Sequence, residues 1–255
     1  MRIIINVVKI IWVVCWWMSV SAIMWVPIFL SGFFSKTGKF SFRLCQFWVW
    51  IAKGITFTRV ETVANPKVDP RKSYVIISNH QSLLDIPALM LNTGLQFRWV
   101  LKKELIYIPF FGWALWGARH IFVDRSNPKR ALKSMTESIR KLPEGVSVAV
   151  FPEGTRADTG QLGEFKVGGF LMAISSGLPI LPVTINGSWK RMPNKRSLSF
   201  VPGTIQLVIG DPIDTTQYKK REISRLMQDA REAVGSQLDP TYPEKKRINL
   251  YESAS

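Results

Sequence analysis

The chain has 255 residues, enough for one large domain plus an appendage. Hydrophobic residues make up 47% of it and the formal net charge is +16, a balance that favours anionic partners such as lipid surfaces, phosphorylated substrates or nucleic acid. Its two cysteines, Cys15 and Cys45, lie in the apolar first fifth and form no CxxC pair. This excludes a disulfide framework, a cysteine-based zinc site and a cysteine nucleophile in the body of the chain.

The first element is apolar. No charged residue occurs from Ile10 to Phe34. As a helix this run measures about 37 Å, longer than a bilayer core of about 30 Å. Pro27 lies inside it, and an interior proline is expected to break or kink a helix. A second apolar stretch, Phe40 to Ile55, is interrupted by Arg43, Gln46 and Lys53 and reads as an amphipathic interfacial helix. Basic residues flank the first run on both sides, so a single span and a hairpin that dips into one leaflet both fit. Val20-Ser21-Ala22 resembles a signal-peptide cleavage site, but the apolar run continues beyond it, which favours a retained anchor. The ten tryptophans suit a membrane–water boundary. Residues 1–58 are thus expected to form the anchor.

Residues 59–238 read as an α/β domain. Strand-like runs occur at Tyr74–Ser78, Phe97–Leu101, His120–Val123, Val146–Phe151, Ile180–Ile185 and Thr204–Ile209. Helical patterns fall between several of them, at Pro128–Leu142, Val167–Ser176 and Thr216–Val234. The alternation predicts a mixed, mostly parallel sheet flanked by helices. Residues 239–255 are polar and expected to be a loosely ordered tail. In such sheets ligands sit beyond the carboxyl ends of the strands, so functional residues should follow the strand runs.

They do. Asn79-His80-Gln81-Ser82 and Asp85 follow YVIIS. On one continuous helix His80 and Asp85 would stand about 140° apart. They can meet if His80 is in the strand-exit loop and Asp85 in the first helical turn. A carboxylate on one imidazole nitrogen leaves the other as a base. Taken alone, however, the pair reads as a loop histidine capped by a neighbouring carboxylate. The other histidine, His120, reads as a partly buried strand residue. Phe151-Pro152-Glu153-Gly154-Thr155-Arg156 follows VSVAV, and Arg156 offers a planar fork for phosphate. Lys166 stands at an expected helix start, Arg125 follows HIFV, and Lys102-Lys103 follows FRWVL. Cations thus recur after three strand runs and at one helix start. No GxSxG elbow, Walker loop or GxGxxG occurs.

Taken together, these residues resemble the 1-acylglycerol-3-phosphate acyltransferases of the glycerolipid acyltransferase superfamily. Asn79-His80-Gln81-Ser82…Asp85 is similar to the HX4D block, Ile121-Phe122-Val123-Asp124-Arg125 to the second block, Phe151 to Arg156 to the third, and Leu181-Pro182-Val183 to the fourth. The resemblance covers roughly Tyr74 to Ile185. Ala118-Arg119-His120 departs from it, since many members carry small or apolar residues there.

The resemblance implies that His80 is a general base and Asp85 its orienting partner. It implies transfer of a fatty acyl group from a thioester, of coenzyme A or acyl carrier protein, to the sn-2 hydroxyl of lysophosphatidic acid. Arg125, Arg156, Lys166 and Lys103 would hold the acceptor phosphate, with Glu153, Gly154 and Thr155 shaping the site. No resident cofactor, metal or nucleic-acid partner is expected, and the location would be the cytoplasmic face of a membrane. Competing readings are a sibling acyltransferase with another acceptor, a thioesterase, and a basic membrane-surface module without chemistry.

Overall fold

The computed structural model describes residues 2–35, 37–124, 126–156, 161–192 and 200–239, with the side chains of 2–6, 9 and 128 excepted. Arg125 and residues 240–255, nearly all of the expected tail, lie outside the described residues.

Two helices come first, α1 (Arg2–Phe34) and α2 (Lys39–Gly54). Strand β1 (Thr58–Val63) leads to β2 (Val75–Ser78), α3 (Asp85–Asn92), β3 (Gln96–Lys102), α4 (Phe111–Gly117) and β4 (Ile121–Val123). Then follow α5 (Pro128–Arg140), β5 (Val146–Val150), α6 (Gly168–Ser176), β6 (Ile180–Asn186), α7 (Ser188–Arg191), β7 (Gly203–Ile209) and α8 (Ile223–Gly235). The seven strands form one sheet in the order β1-β7-β6-β2-β5-β3-β4, and every neighbouring pair is parallel except β6 with β7. This is the mixed, mostly parallel sheet that the alternating pattern predicts.

The sheet is covered on both faces, as parallel sheets require. One face buries Ile76, Phe97, Leu181 and Leu207 against α1, α2, α3 and α4. The other buries Val75, Ile77, Val148 and Ile180 against α5, α6 and α8. Central strands β2 and β6 are buried at every position. Pro182 is tolerated inside β6 because its missing N–H costs no ladder bond. Pairing with β7 begins at Val183, and the Pro182 carbonyl accepts the Gly210 N–H at 2.9 Å.

Two expectations need correction. First, β1 is a strand that the pattern hides. Arg59 and Glu61 interrupt the apolar alternation, which an edge strand with one solvated side can afford. Second, Pro27 does not end the first helix, which runs unbroken from Arg2 to Phe34. Pro27 faces outward, while Met24, Ile28 and Ser31 on either side of it are buried against the domain and hold the helix in place.

Helix α1 is long and apolar enough to cross a membrane, and 22% of its apolar window is buried inside the protein. Its buried stripe, Val20, Met24, Ile28 and Ser31, recurs at helical spacing. The remaining surface exposes Trp12, Ile23, Leu30, Phe33 and Phe34. Helix α2 turns back along it, and the Ser31 and Ser41 hydroxyls meet at 2.9 Å near the bend. Phe42, Cys45 and Trp48 of α2 are buried in the protein, whereas Phe40, Phe47 and Trp50 are exposed.

Helix α1 and α4 touch backbone to backbone. A Cβ at Gly117 would lie 2.5 Å from Phe29 Cα, and one at Gly32 would collide with the Gly117 carbonyl. A Gly117→Ala substitution should therefore separate the two helices and destabilise the protein by about 1–3 kcal/mol. A lowered denaturation midpoint in detergent solution is the expected result.

Candidate active site

The site forms where β2 ends. Asn79 closes the ladder with its side chain: Nδ2 donates to the Ile185 carbonyl and Oδ1 accepts the Ile185 N–H, both at 2.8 Å. This mimics one more strand residue and fixes where the chain leaves the sheet. His80 follows in the exit loop, and Asp85 opens α3. Asp85 Oδ2 lies 2.9 Å from His80 Nδ1 and also accepts the Gln81 and Ser82 N–H groups at 2.6 and 2.8 Å. The two side chains thus meet with one partner in a loop and the other in a first helical turn, as their spacing requires.

Asp85 is fully buried, so its carboxylate needs these donors. Accepting from Nδ1–H, it leaves His80 Nε2 without the ring proton and able to act as a base. The imidazole is held from its face as well. The Phe151 ring stacks on it at 3.8 Å with planes 8° apart, and Trp99 stacks on Phe151 at 5.3 Å.

Glu153 anchors the backbone beneath this ring. Its Oε1 accepts the His80 N–H at 2.7 Å and its Oε2 accepts the Gly163 N–H at 2.8 Å. Only 6% of Glu153 is exposed, and burial raises its carboxyl above the usual range despite these two bonds. Both oxygens are engaged with backbone, so Glu153 braces the site and offers no charge attractive to a phosphate. The brace extends further, because Arg231 of α8 donates to the carbonyls of Gly163 and Leu162 and lies over the Phe165 ring. Nothing in the local pattern around Arg231, one of two arginines on α8, announces this contact.

Gly154 has φ of 75°, and a Cβ there would lie 2.9 Å from Lys166 Nζ. The glycine therefore lets the lysine cross the loop. Thr155 is exposed and Arg156 partly exposed in the same loop. Lys103 begins a 3-10 turn after β3, half exposed, with its ammonium 3.7 Å from Asp124. Ser126 and then Lys103 hold the Asp124 carboxyl below its usual range. Arg125 lies outside the described residues.

A cavity of about 1060 Å³ opens beside His80. Of the expected site residues, His80, Gly154 and Lys166 line it. Its inner walls are largely apolar and include Trp17 of α1, Cys45 and Trp48 of α2, Leu84, Phe111 and Leu115. The first two helices therefore build the wall of the site.

The residues that depart from the family pattern also have assigned places. Arg119, at φ of 60°, donates to the Gly32 carbonyl at 2.7 Å. His120 is buried just before β4, and its Nδ1 accepts the Trp99 N–H at 3.1 Å. Burial, and then the charge of Arg98, push the His120 pKa down to about 3.

Two outcomes follow. Glu153→Gln places a donor amide against two backbone N–H groups, where only one oxygen can accept. Stability should fall by about 1–3 kcal/mol, read as a lower unfolding midpoint, with activity falling alongside. His120 binds its proton more readily in the unfolded chain, near pH 6.5, than in the folded one, near pH 3. Its contribution to stability is therefore complete above the unfolded value and lost as pH falls towards the folded one. Denaturation at a series of pH values should show this loss in the wild type and a shallower loss in His120→Phe.

The acyltransferase family model matches residues 54–186. The chain is 34% identical over 241 residues to a 1-acyl-sn-glycerol-3-phosphate acyltransferase of Pseudomonas aeruginosa, covering 91% of each chain. It is 32% identical over 203 residues to the chloroplastic enzyme of that name from Brassica napus, covering 76% of this chain and 58% of the relative. The crystal structure of the 1-acyl-sn-glycerophosphate (LPA) acyltransferase PlsC from Thermotoga maritima superposes with a TM-score of 0.74 at 25% identity, over 92% of this chain and 95% of that one. With this fold, this arrangement around His80 and these relatives, the chain belongs to the acyltransferase family.

Proposed function

We propose that the protein transfers a fatty acyl group from a thioester to the sn-2 hydroxyl of 1-acyl-sn-glycerol 3-phosphate, giving phosphatidic acid. The observation that carries this reading is the His80–Asp85 pair, 2.9 Å apart, at the side of a large apolar cavity. The names of the relatives from Pseudomonas aeruginosa and Brassica napus support the acceptor.

In this reading the acceptor hydroxyl gives its proton to His80 Nε2 as its oxygen bonds to the thioester carbonyl carbon. Asp85 stabilises the imidazolium that forms. The carbon–sulfur bond then breaks, and the departing thiolate takes the proton back from the imidazolium. The attacking oxygen belongs to the acceptor, so no serine or cysteine nucleophile is needed. General-base help supplies about 10²–10⁴-fold, and positioning must supply much of the rest.

The acyl chain occupies the apolar cavity. Lys166 and Arg156 meet the acceptor phosphate across Gly154, and Lys103 and Arg125 add positive charge from neighbouring strand ends. Coenzyme A and acyl carrier protein both fit as donors. The exposed apolar faces of α1 and α2 keep the site at a membrane surface, on the cytoplasmic side where such donors are found. Basic residues around the rim draw in anionic lipid.

The deciding assay supplies lysophosphatidic acid with each donor to purified wild type and His80→Ala. The variant should fold and lose acyl transfer; more than a few per cent of residual activity would overturn the general-base role. Arg156→Ala should raise the KM for lysophosphatidic acid roughly tenfold, the worth of one charge-assisted hydrogen bond, and leave the donor KM nearly unchanged.

A further inference from the structure

The contact between His80 and Phe151 has a geometry that the neighbouring aromatic contacts lack. The two ring centroids are 3.8 Å apart and the planes differ by 8°. For rings touching at about 3.5 Å, this leaves an offset of only about 1.5 Å, so the rings overlap nearly face to face. Two neutral aromatic rings disfavour that arrangement, because each has a negative face. They settle edge-on or well offset, with centroids about 4.5–7 Å apart. The adjacent pairs obey this rule: Phe97 meets Trp99 at 5.1 Å and 89°, and Trp99 meets Phe151 at 5.3 Å and 27°.

A cation over the same face is attracted by it. His80 becomes a cation when its Nε2 takes the acceptor proton, so the stack suits the imidazolium better than the neutral ring. The imidazolium needs such support. The His80 side chain is 14% exposed and borders a largely apolar cavity, so few water molecules reach the charge. Asp85 meets it at the Nδ1 edge, while Glu153 is turned towards the His80 backbone. Lys166 lines the same cavity and brings charge of the opposing sign to that needed. Phe151 itself is held in place. It follows the last residue of β5 and rests against Trp99 of β3, which is buried.

We propose that Phe151 is a positioning residue with an electrostatic part in the reaction: its ring face stabilises the His80 imidazolium, and with it the transition state, more than the neutral imidazole. The ring forms no bond and gives up no electrons. The proton passes from the acceptor hydroxyl to His80 Nε2 and on to the departing thiolate, and Phe151 stabilises the charged state between the two transfers. The inference rests on the reading of His80 as the general base.

The test places 4-fluoro-, 3,5-difluoro- and 3,4,5-trifluorophenylalanine at position 151 of the full chain. Each added fluorine drains negative charge from the ring face and changes the volume little. The single-turnover rate of acyl transfer is measured with saturating lysophosphatidic acid and palmitoyl thioester, beside wild type and His80→Ala. The rate should fall at each step and reach a loss of roughly tenfold with the trifluorinated ring, the factor that a desolvated cation–π contact supplies. The KM for each substrate and the unfolding midpoint should stay constant along the series, because packing is kept. A flat rate across the series, with His80→Ala inactive, overturns the role of Phe151 alone. So does a loss of rate that merely follows a falling unfolding midpoint. Transfer that survives in His80→Ala overturns the general-base reading and the role of Phe151 with it.

Discussion

The site depends on a carboxylate that cannot be left alone in the interior. Asp85 is fully buried, and its Oδ2 gathers three N–H groups, one from the His80 ring and two from the backbone of Gln81 and Ser82. A buried charge without such donors would cost several kcal/mol or would be protonated. The need to satisfy it bends the loop after β2 into the one shape that brings His80 alongside. Folding the loop and aligning the imidazole are therefore one event.

Glu153 repeats this logic from the neighbouring strand end. It ties the His80 backbone to Gly163, and Arg231 ties Gly163 to α8 on the far face of the sheet. The ring of Phe151, from the same turn as Glu153, covers the imidazole. The histidine is thus held by its ring edge, its ring face and its backbone, and each restraint comes from a separate contact. Such restraint suits the base proposed here, since proton transfer depends on close placement.

The first two helices are built into the site. Val20, Met24 and Ile28 of α1 and Phe42, Cys45 and Trp48 of α2 belong to the same core as strands β2, β3 and β6. The glycine contact between α1 and α4 lets the backbones approach closely enough for this sharing. The Trp17, Cys45 and Trp48 side chains then wall the cavity beside His80. A change in how α1 packs would therefore alter the volume of that cavity.

By itself the sequence determined what local periodicity and local spacing can encode. The strand runs were legible as short apolar and β-branched runs, and α5 and α6 by their helical spacing; α8 was legible too, although the pattern read from Thr216 begins ahead of it, where the chain forms two 3-10 turns. The contact of His80 with Asp85 was legible as a possibility, because five positions are few enough to close within one loop. Strand β1 was not, since Arg59 and Glu61 on an edge break the pattern. Helix α3 was marked only by its first turn at Asp85 and α4 not at all, both being short and set by packing more than by a polar–apolar repeat. Tertiary structure alone decided the partners that lie far apart in the chain. Glu153 meets the His80 backbone 73 positions away, and Arg231 meets Gly163 68 positions away. It also decided that Trp17 of α1 and Cys45 and Trp48 of α2 line one cavity with His80. No repeat or motif carries such contacts, because they exist only once the sheet has ordered its strands and the helices have closed over it.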